Sequence, residues 1–325
     1  MSLLSRAAAA LLASAGIAAA TAPALAADAY PSRPVRLIVP FPPGGSTDMV
    51  ARIVVQKFAE KLGQTVYIEN RGGASGMIGT AEAARSAPDG YTLLIVFDSH
   101  ATNQHLYKDI PYDTFKSFDA ITLMTTSPML LTTAKNFAPR TVPDMIAHGK
   151  AQPERVTYGS SGTGTSNHLH ALAFADQAGF AATHVPYKGG GPMTLAVMSG
   201  EVNYVVATVA GVLEQVRTGQ LNAVAIGSKT RIPQLPDTPT VDQYLPGYEA
   251  NSWIGLMGPA GMDKQVLKKV HDAMTQALAD PEVNKKLSSG GFQVVGSTPE
   301  AFLDKVKQES DKMGALIAKR HIKVE

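Results

Sequence analysis

Short apolar runs alternate with helical apolar patterns along most of the chain. The run from Val35 to Val39 has the length and composition of a buried strand. Apolar residues then recur at helical spacing from Val50 to Leu62, and Gly63 stands where a helix commonly ends. Further apolar runs, Val66 to Glu69 and Thr92 to Phe97, predict two more strands. Strands that alternate with helices favour an α/β fold with largely parallel sheets.

The rest of the chain continues this alternation and adds two segments of a different kind. Short strands are predicted at Val156 to Tyr158, His184 to Val185, Val202 to Thr208 and Ala223 to Ile226, and helices near 166–178, 192–199, 210–218, 266–278 and 302–316. The segments Leu123 to Leu131 and Gly247 to Met257 are strand-like and flanked by proline or glycine, which predicts two crossings between lobes.

Two crossings imply two lobes joined by a paired hinge, each lobe a mostly parallel sheet flanked by helices. We assign residues 27–126 and 254–325 to lobe 1 and residues 127–253 to lobe 2. Ligands of such proteins usually bind in the cleft between the lobes, beyond the C-terminal ends of the strands.

The first 26 residues have the pattern of an export signal. Arg6 supplies a positive start, small and apolar residues extend from Ala7 to Ala20, and Ala24 to Ala26 fits an A-x-A cleavage site. A membrane anchor is the alternative, but the apolar run is short, and no later stretch approaches the roughly 18 apolar residues of a membrane span. We therefore expect export, cleavage and a soluble protein in the periplasm.

Composition narrows the possible partners. Lys+Arg number 29 against 27 Asp+Glu, so the formal net charge of +2 gives no reason to expect nucleic acid or an acidic membrane surface as a partner. Cysteine is absent, so no disulfide supports the fold in an oxidising compartment. Export without cysteine suits a bacterial periplasm.

The stretch VPFPPGGSTDMVAR, residues 39–52, joins the first predicted strand to a helix. Its prolines stiffen the approach, and its glycines allow close contact with a ligand. Ser46, Thr47 or Asp48 could cap the helix, and the remaining free N–H groups would face an anion. A tight, well-capped turn without a ligand is the alternative at this point.

Nucleotide motifs are missing from the chain. No G-x-x-x-x-G-K-[ST] occurs, and Gly44-Gly45 lacks the third glycine of a dinucleotide fingerprint. Asp48 would also repel a phosphate chain, so we expect a carboxylate.

A second candidate loop is YGSSGTGTSNHLH, Tyr158 to His170, which lies between a strand and a helix. It offers hydroxyl and N–H donors without a fixed charge. Thr163 stands where a G-x-S-x-G nucleophile elbow needs glycine, so a donor loop is favoured over a nucleophile, with a merely polar turn as the alternative. His168 and His170 point in different directions on a helix, so we expect no metal site.

Other polar positions also follow predicted strands. In VPYKGGGPM, residues 185–193, Lys188 could pair with an acidic ligand or be solvated, and Tyr187 could line the cleft or join the core. Ser99 and His100 follow the strand at Thr92 to Phe97, where a cleft wall would begin, and a structural role for His100 is favoured over catalysis.

Six strings in order resemble the Bug-type extracytoplasmic solute receptors, the substrate-binding components of tripartite tricarboxylate transporters. They are YPSRPVRLIVPFPPGGSTDMVAR, LGQTVYIENRGGASGMIGT, APDGYTLL, TYGSSGTGTSN, VPYKGGGP and RIPQLPDTPTVDQYLPGYEA, which a tryptophan follows. They begin at Tyr30 and are spread over the mature chain. Gly72 stands where the family usually has proline, and Gln243 where it usually has glutamate.

The resemblance implies a periplasmic-binding-protein-like fold that closes on a small organic carboxylate or dicarboxylate. It places one end of the ligand at the first glycine-rich turn and the other at the Gly/Ser loop of lobe 2. The matched positions, with lower-priority wall positions at the end, are Phe41, Gly44, Gly45, Ser46, Thr47, Asp48, Ser160, Ser161, Gly162, Thr163, Gly164, Thr165, Ser99, His100, Tyr187, Lys188, Gly189 and Thr208.

We therefore predict a monomeric receptor that passes its ligand to membrane transporter subunits and needs no cofactor or metal. Two alternatives stay open. A ligand-dependent sensor subunit of a membrane signalling protein would have the same sequence features. A secreted enzyme is disfavoured, because no nucleophile–base set, metal spacing or pair of catalytic carboxylates is evident.

Overall fold

Strands and helices alternate through the described part of this computed structural model, residues 30–152 and 155–324. The predicted export signal, residues 1–26, lies outside the described residues and stays a prediction. The strands are β1 (Val35–Val39), β2 (Val66–Asn70), β3 (Thr92–Phe97), β4 (Phe118–Ala134), β5 (Thr157–Ser160), β6 (Thr183–Pro186), β7 (Tyr204–Thr208), β8 (Leu221–Ile226), β9 (Asn251–Pro259) and β10 (Gln293–Val294). The helices are α1 (Ser46–Leu62), α2 (Met77–Ala84), α3 (Ser99–Leu106), α4 (Val142–Ala151), α5 (Ser166–Ala178), α6 (Gly190–Ser199), α7 (Val209–Arg217), α8 (Lys264–Ala279), α9 (Pro281–Ser289) and α10 (Pro299–Lys319).

The predicted elements match the observed ones closely where apolar periodicity was strong. Helix α4 was not predicted, although Thr141 and Asp144 form a capping box at its start, a signal that the sequence contains. Helix α9 was also missed. It follows α8 directly at Asp280, whose carboxylate accepts hydrogen bonds from the first N–H groups of α9.

The sheet is mixed and consists of two parallel groups joined through antiparallel strands. Its strands run in the order β2-β1-β3-β9-β4-β7-β5-β6, and β8 and β10 pair with β4. Strand β1 is parallel to β2 and β3, while β5 is parallel to β6 and β7. The α/β prediction is confirmed. The parallel pairs lie within each group, and the pairs that involve β4 or β9 are antiparallel.

One long strand connects the two groups. The 17 residues of β4 pair with β9 from Phe118 to Pro128, and from Met129 onward β4 pairs with β7 and β8. The two segments predicted to cross between lobes therefore lie in β4 and β9.

The hydrophobic core is divided among several clusters on the faces of these groups. In the first group, Phe58 and Ile95 belong to one buried cluster, and Trp253 and Phe302 belong to another on the opposite face. In the second group, Phe174 packs in a cluster with the buried ring of Tyr204. Each large apolar side chain buried in this way contributes about 1.5–3 kcal/mol. These cores hold the strand ends, and the loops that follow them, in place.

Candidate functional site

The loops that carry most of the predicted site residues follow the C-terminal ends of parallel strands. The turn from Pro40 to Gly45 follows β1, and Ser99 lies just beyond the end of β3, which is parallel to β1. In the second group, the Gly/Ser loop follows β5, the Tyr187 loop follows β6 and Thr208 ends β7. Parallel strands end at the same edge, so the fold brings the loops of each group together.

The first turn presents the uncapped start of α1. Gly45 is the N-cap residue, with φ −81° and ψ 172°, and no side chain accepts a hydrogen bond from the first turn of the helix. Gly44 has φ +88°, a left-handed conformation that favours glycine. Both glycines are exposed. The free N–H groups and the helix dipole make this end a favourable place for an anion.

Asp48 holds the first turn in shape. Its carboxylate accepts hydrogen bonds from Gly44 N at 2.9 Å, Arg52 Nε at 2.8 Å and Asn70 Nδ2 at 3.0 Å. Burial would raise the pKa of Asp48, but the hydrogen bonds from Arg52, Gly44 and Asn70 hold it below the ordinary value. Both carboxylate oxygens are engaged within the turn, and the ligand contact at Asp48 stays a prediction.

The first turn and the second group meet at a narrow cavity. Ser46 lines it from α1, Thr208 lines it from the end of β7, and Phe97 and Ser252 lie between them. The ring of Phe41 packs edge-on against Phe97, with centroids 5.8 Å apart. Thr47, by contrast, is buried. The cavity therefore joins predicted site residues of both groups, Ser46 and Thr208.

Several polar atoms around this cavity are buried without a hydrogen-bond partner among the described residues. They are the hydroxyls of Thr125 and Ser252 and the indole nitrogen of Trp253, all from residues that line the cavity. Most buried polar groups in folded proteins are hydrogen-bonded. These three donors are therefore buried polar groups without a partner in the wall of this narrow cavity.

The Gly/Ser loop uses several of its hydroxyls to shape itself. Ser160 is fully buried, and its hydroxyl lies 2.6 Å from His184 Nε2 and accepts the Gly162 N–H at 3.1 Å. The Ser161 hydroxyl donates to Asn167 at 2.7 Å, and that of Thr165 donates to Gly162 O at 2.7 Å. The Ser160 side chain is therefore engaged in the interior, and the ligand contact at this residue stays a prediction.

The backbone of this loop carries the remaining potential donors. Thr165 is the N-cap residue of α5, and no side chain caps this helix either. Gly164 is buried, and a Cβ built on it would lie 2.6 Å from Leu106 of α3, so this glycine permits close contact between the two groups. Thr163 is half-buried.

Two stacked histidines support the Gly/Ser loop from behind. The rings of His168 and His184 lie 3.8 Å apart at 11°, and His168 Nδ1 accepts the Gly164 N–H at 3.0 Å. Burial lowers the pKa of His168 to about 3, helped by His184, and lowers that of His184 to about 4. Neutral rings can stack closely and accept these hydrogen bonds. The sequence did not point to this pair, because the two residues lie on different elements.

The contact between Ser160 and His184 also bears on the alternative of a serine nucleophile. Ser160 and His184 are close enough for a serine–histidine dyad, but Ser160 is fully buried. No carboxylate of the described residues forms a hydrogen bond with His184 to orient it as a base requires. Among the described residues, the contact therefore lacks the third member of a Ser-His-Asp triad.

The predicted wall positions Tyr187, Lys188 and Gly189 differ in what they contact. The Tyr187 hydroxyl donates to Glu201 at 2.8 Å, and burial and the Glu201 carboxylate raise its pKa to about 12. Tyr187 therefore supports its loop rather than offering its hydroxyl. Lys188 is exposed, and Gly189 N–H donates to Ser161 O at 3.2 Å, which joins the second and third loops.

His100 is engaged in the core of the first group, in keeping with the structural role favoured for it, and its wall position stays a prediction. It is buried, its Nε2 lies 3.1 Å from Thr114 O, and its ring stacks on Tyr112. Burial lowers the pKa of His100 to about 4, so the ring stays neutral in the core of the first group. Ser99 is also largely buried, and its hydroxyl donates to Ser75 O at 3.3 Å.

Asp98 is a residue of this region that the sequence reasoning missed. It follows β3 directly, is buried, and neither carboxylate oxygen forms a hydrogen bond with the described residues. Burial raises its pKa to about 7, although the hydroxyls of Ser166 and Ser252 lie near enough to favour the charged form. An aspartate that ends a strand gives no sign in sequence that its side chain will be buried.

Helix capping differs between the cleft edge and the rest of the molecule. Among the described residues, α4, α8, α9 and α10 each have a side chain that caps the first turn. The helices that follow cleft loops, α1, α3, α5, α6 and α7, have none, and α2, which follows the loop after β2, has none either. Uncapped N–H groups are thus concentrated where the predicted ligand would bind.

The described residues contain no group of three or more His, Cys, Asp or Glu side chains placed to hold a metal ion. Within the same part of the chain, no helix has both the length and the apolar character needed to cross a membrane.

Comparison with known proteins gives one family. The model of the "Tripartite tricarboxylate transporter family receptor" matches residues 50–322. The protein BugT of Bordetella pertussis is 34% identical over 309 residues, which cover 94% of each chain. The Bug-type resemblance is thereby confirmed.

Solved structures agree in fold. The periplasmic binding protein BugD is 33% identical with a TM-score of 0.80, over 91% of this chain and 100% of that one. The protein Rpa4515 of R. palustris, solved with adipate, is 30% identical with a TM-score of 0.82, again over 91% and 100%. The prediction of a periplasmic-binding-protein-like fold is confirmed.

Proposed function

Because this chain belongs to the tripartite tricarboxylate transporter receptor family, we propose that it captures a small organic carboxylate or dicarboxylate in the cleft and delivers it to a membrane transporter of that type. The observation that carries the proposal is the concentration of uncapped helix N-termini at the cleft edge, with α1 on one side and α5 on the other. The adipate bound to Rpa4515, a protein of similar fold, supports a dicarboxylate as the ligand class.

The two helix ends would hold the two ends of the ligand. A carboxylate gains about 0.3–2 kcal/mol from the dipole of each helix end, more where solvent is excluded. Charge-assisted hydrogen bonds from N–H groups add to this. The favourable terms are offset by the cost of association, and a net free energy of roughly −8 kcal/mol corresponds to micromolar affinity.

The shared strand β4 supplies the hinge. We propose that residues 27–126 with 254–325 form one lobe and residues 127–253 the other, so that β4 and β9 flex when the lobes close. Donors that carry no formal charge would let the ligand leave once a membrane partner opens the lobes. We further propose that the protein is a periplasmic monomer without enzymatic activity.

Calorimetry on protein stripped of co-purified ligand tests the proposal. Titration with a panel of aliphatic, aromatic and amino-acid carboxylates should find at least one with micromolar affinity. If none of them binds, the proposal is wrong. Turnover of a bound acid would instead favour the enzyme alternative.

The variant Gly45→Val tests the first turn. Gly45 has a backbone conformation open to any residue, and a Cβ built there meets only Pro42 O at 3.9 Å, so the variant should fold normally. The valine side chain would obstruct the start of α1, and we expect affinity to fall about tenfold or more. The control Met49→Val places valine at an exposed position of the same helix and should bind normally. Unchanged affinity in Gly45→Val would remove the first turn from the site.

A pull-down of membrane proteins, with and without the bound acid, separates transport from sensing. Transporter subunits captured in either state support the proposal, whereas a signalling protein captured only by the liganded form would favour the sensor alternative.

A further inference from the structure

The side chain of Asp98 is buried without a cationic partner among the described residues. It is 3% exposed, and neither carboxylate oxygen has a hydrogen-bond partner among the described residues. No Lys or Arg of these residues forms an ion pair with it. A buried carboxylate in this state is costly, because it has lost its hydration without gaining a compensating cation.

Asp98 lies where the two sides of the cleft meet. The hydroxyl of Ser166, the first residue of α5, is near enough to favour its charged form, and so is that of Ser252. Ser252 lines the narrow cavity together with Ser46 and Thr208. The carboxyl group of Asp98 therefore lies near the uncapped start of α5 and near Ser252, a residue that lines the narrow cavity.

The charges around Asp98 add no cation. The charged group that acts on it is Glu309, which pairs with Lys305 at 3.3 Å and so offers no positive charge to Asp98. Burial raises the pKa of Asp98 to about 7, the Glu309 carboxylate raises it further, and the Ser166 and Ser252 hydroxyls and the Ser99 N–H act in the opposite direction. A ligand with carboxylates alone would bring further negative charge to this carboxyl group.

We propose that Asp98 is a specificity-determining residue that recognises a protonated ammonium group, so that the ligand is an amino acid or another amino-substituted organic acid. The ligand carboxylate would lie at the uncapped helix ends, and its ammonium group would supply the cation that Asp98 lacks. The inference rests on the proposed function, because it assumes that an organic acid binds in this cleft.

Matched ligand pairs test this directly in the full-length mature protein. Calorimetry compares aspartate with succinate, glutamate with glutarate, alanine with propionate and phenylalanine with 3-phenylpropionate, since each pair differs in the ammonium group. We expect the amino acid of the best-binding pair to bind about tenfold or more tightly than its deaminated partner, as a close buried charge pair allows.

The variant Asp98→Asn keeps the shape of the side chain and removes its charge. We expect it to lose the preference, with weaker binding of the amino acid and equal or tighter binding of the deaminated acid. Asp304→Asn makes the same substitution at an exposed position of α10 and should keep the wild-type preference. If Asp98→Asn does not fold, the ligand pairs measured on the wild-type protein still decide the matter.

The outcomes separate this inference from the proposed function. Acids that bind without preference for the ammonium group would overturn the inference and leave the proposed function intact. A second outcome would also overturn the inference. If the wild type and Asp98→Asn bind succinate with equal affinity, and neither protein binds aspartate more tightly than succinate, Asp98 acts as a neutral hydrogen-bonding group. If no acid of the panel binds, the proposed function and the inference both fail.

Discussion

Replacing Asp48 tests whether the first turn depends on a single buried carboxylate. The variant Asp48→Ala removes the acceptor for the Gly44 N–H, the Asn70 amide and the Arg52 guanidinium. A hydrogen bond to a charged group contributes about 1.5–3 kcal/mol. The Arg52 side chain is 56% exposed, so its ion pair adds less than about 1 kcal/mol, and water can replace part of the bond to exposed Gly44. We expect a loss of about 2–3 kcal/mol in the free energy of unfolding.

Urea denaturation followed by circular dichroism measures this loss as a lower midpoint with an unchanged slope. The matched control is Asp272→Ala, which breaks another carboxylate–cation pair four residues apart on a helix, with Lys268, at a more exposed site. We expect the control to lose at most about 0.5 kcal/mol. Equal effects of the two variants would refute the reasoning, because the difference rests on burial and on the extra donors around Asp48.

The pH dependence gives a second check on Asp48. Its pKa in the folded state is below the ordinary value, so its contribution to stability is fully present above the unfolded-state pKa of about 3.9. The contribution is lost as the pH falls through the folded-state pKa. The stability difference between wild type and Asp48→Asn should therefore be constant from about pH 5 to 8 and shrink below about pH 4. A difference that is unchanged at the lowest pH would contradict the assignment.

Three further predictions concern other parts of the fold. His184→Ala removes the hydrogen-bond partner of Ser160 and one ring of the histidine stack. We expect a loss of about 1–2 kcal/mol in the free energy of unfolding and weaker binding of the acid. His184→Phe should restore the stacking but not the hydrogen bond. Burial lowers the pKa of His168 and His184 to about 3 and 4, so these residues are protonated in the unfolded state at a higher pH than in the folded state. The free energy of unfolding of the wild type should therefore fall from about pH 6.5 toward pH 4, and it should fall less steeply in His184→Ala. Equal slopes of unfolding free energy against pH in the two proteins would count against a neutral stack. Gly255→Ala places a Cβ 2.0 Å from the Phe302 ring, and we expect thermal unfolding to show a destabilisation of about 1–3 kcal/mol. The control Gly190→Ala, whose Cβ would meet no atom within 4 Å, should not destabilise the protein. If the second substitution Phe302→Leu relieves the defect of Gly255→Ala, the clash is confirmed; if it does not, the clash is contradicted.

The sequence carried enough information for the elements of the fold and for the loops of the candidate site. The run from Val35 to Val39 and the helical spacing up to Leu62 are properties of neighbouring residues, so strand β1 and helix α1 could be predicted from them. The glycine-rich turns after β1, β5 and β6 were recognisable for the same reason. The ordered family strings then indicated a two-lobed receptor, and the comparisons confirm the family and the fold.

What the tertiary structure decided is the direction in which each side chain of those loops points. Ser160, His100 and Asp48 belong to the predicted loops, but their side chains bond within the protein, and Asp98 was overlooked although it is buried beside the cleft. His168 and His184 meet only because α5 packs against β5, the neighbour of β6 in the sheet. Burial and contact between residues distant in sequence depend on strand register and helix packing, which local periodicity does not encode. The sequence by itself therefore determined where the candidate ligand loops lie, and only the packing of the sheet decided which of their side chains are engaged within the protein.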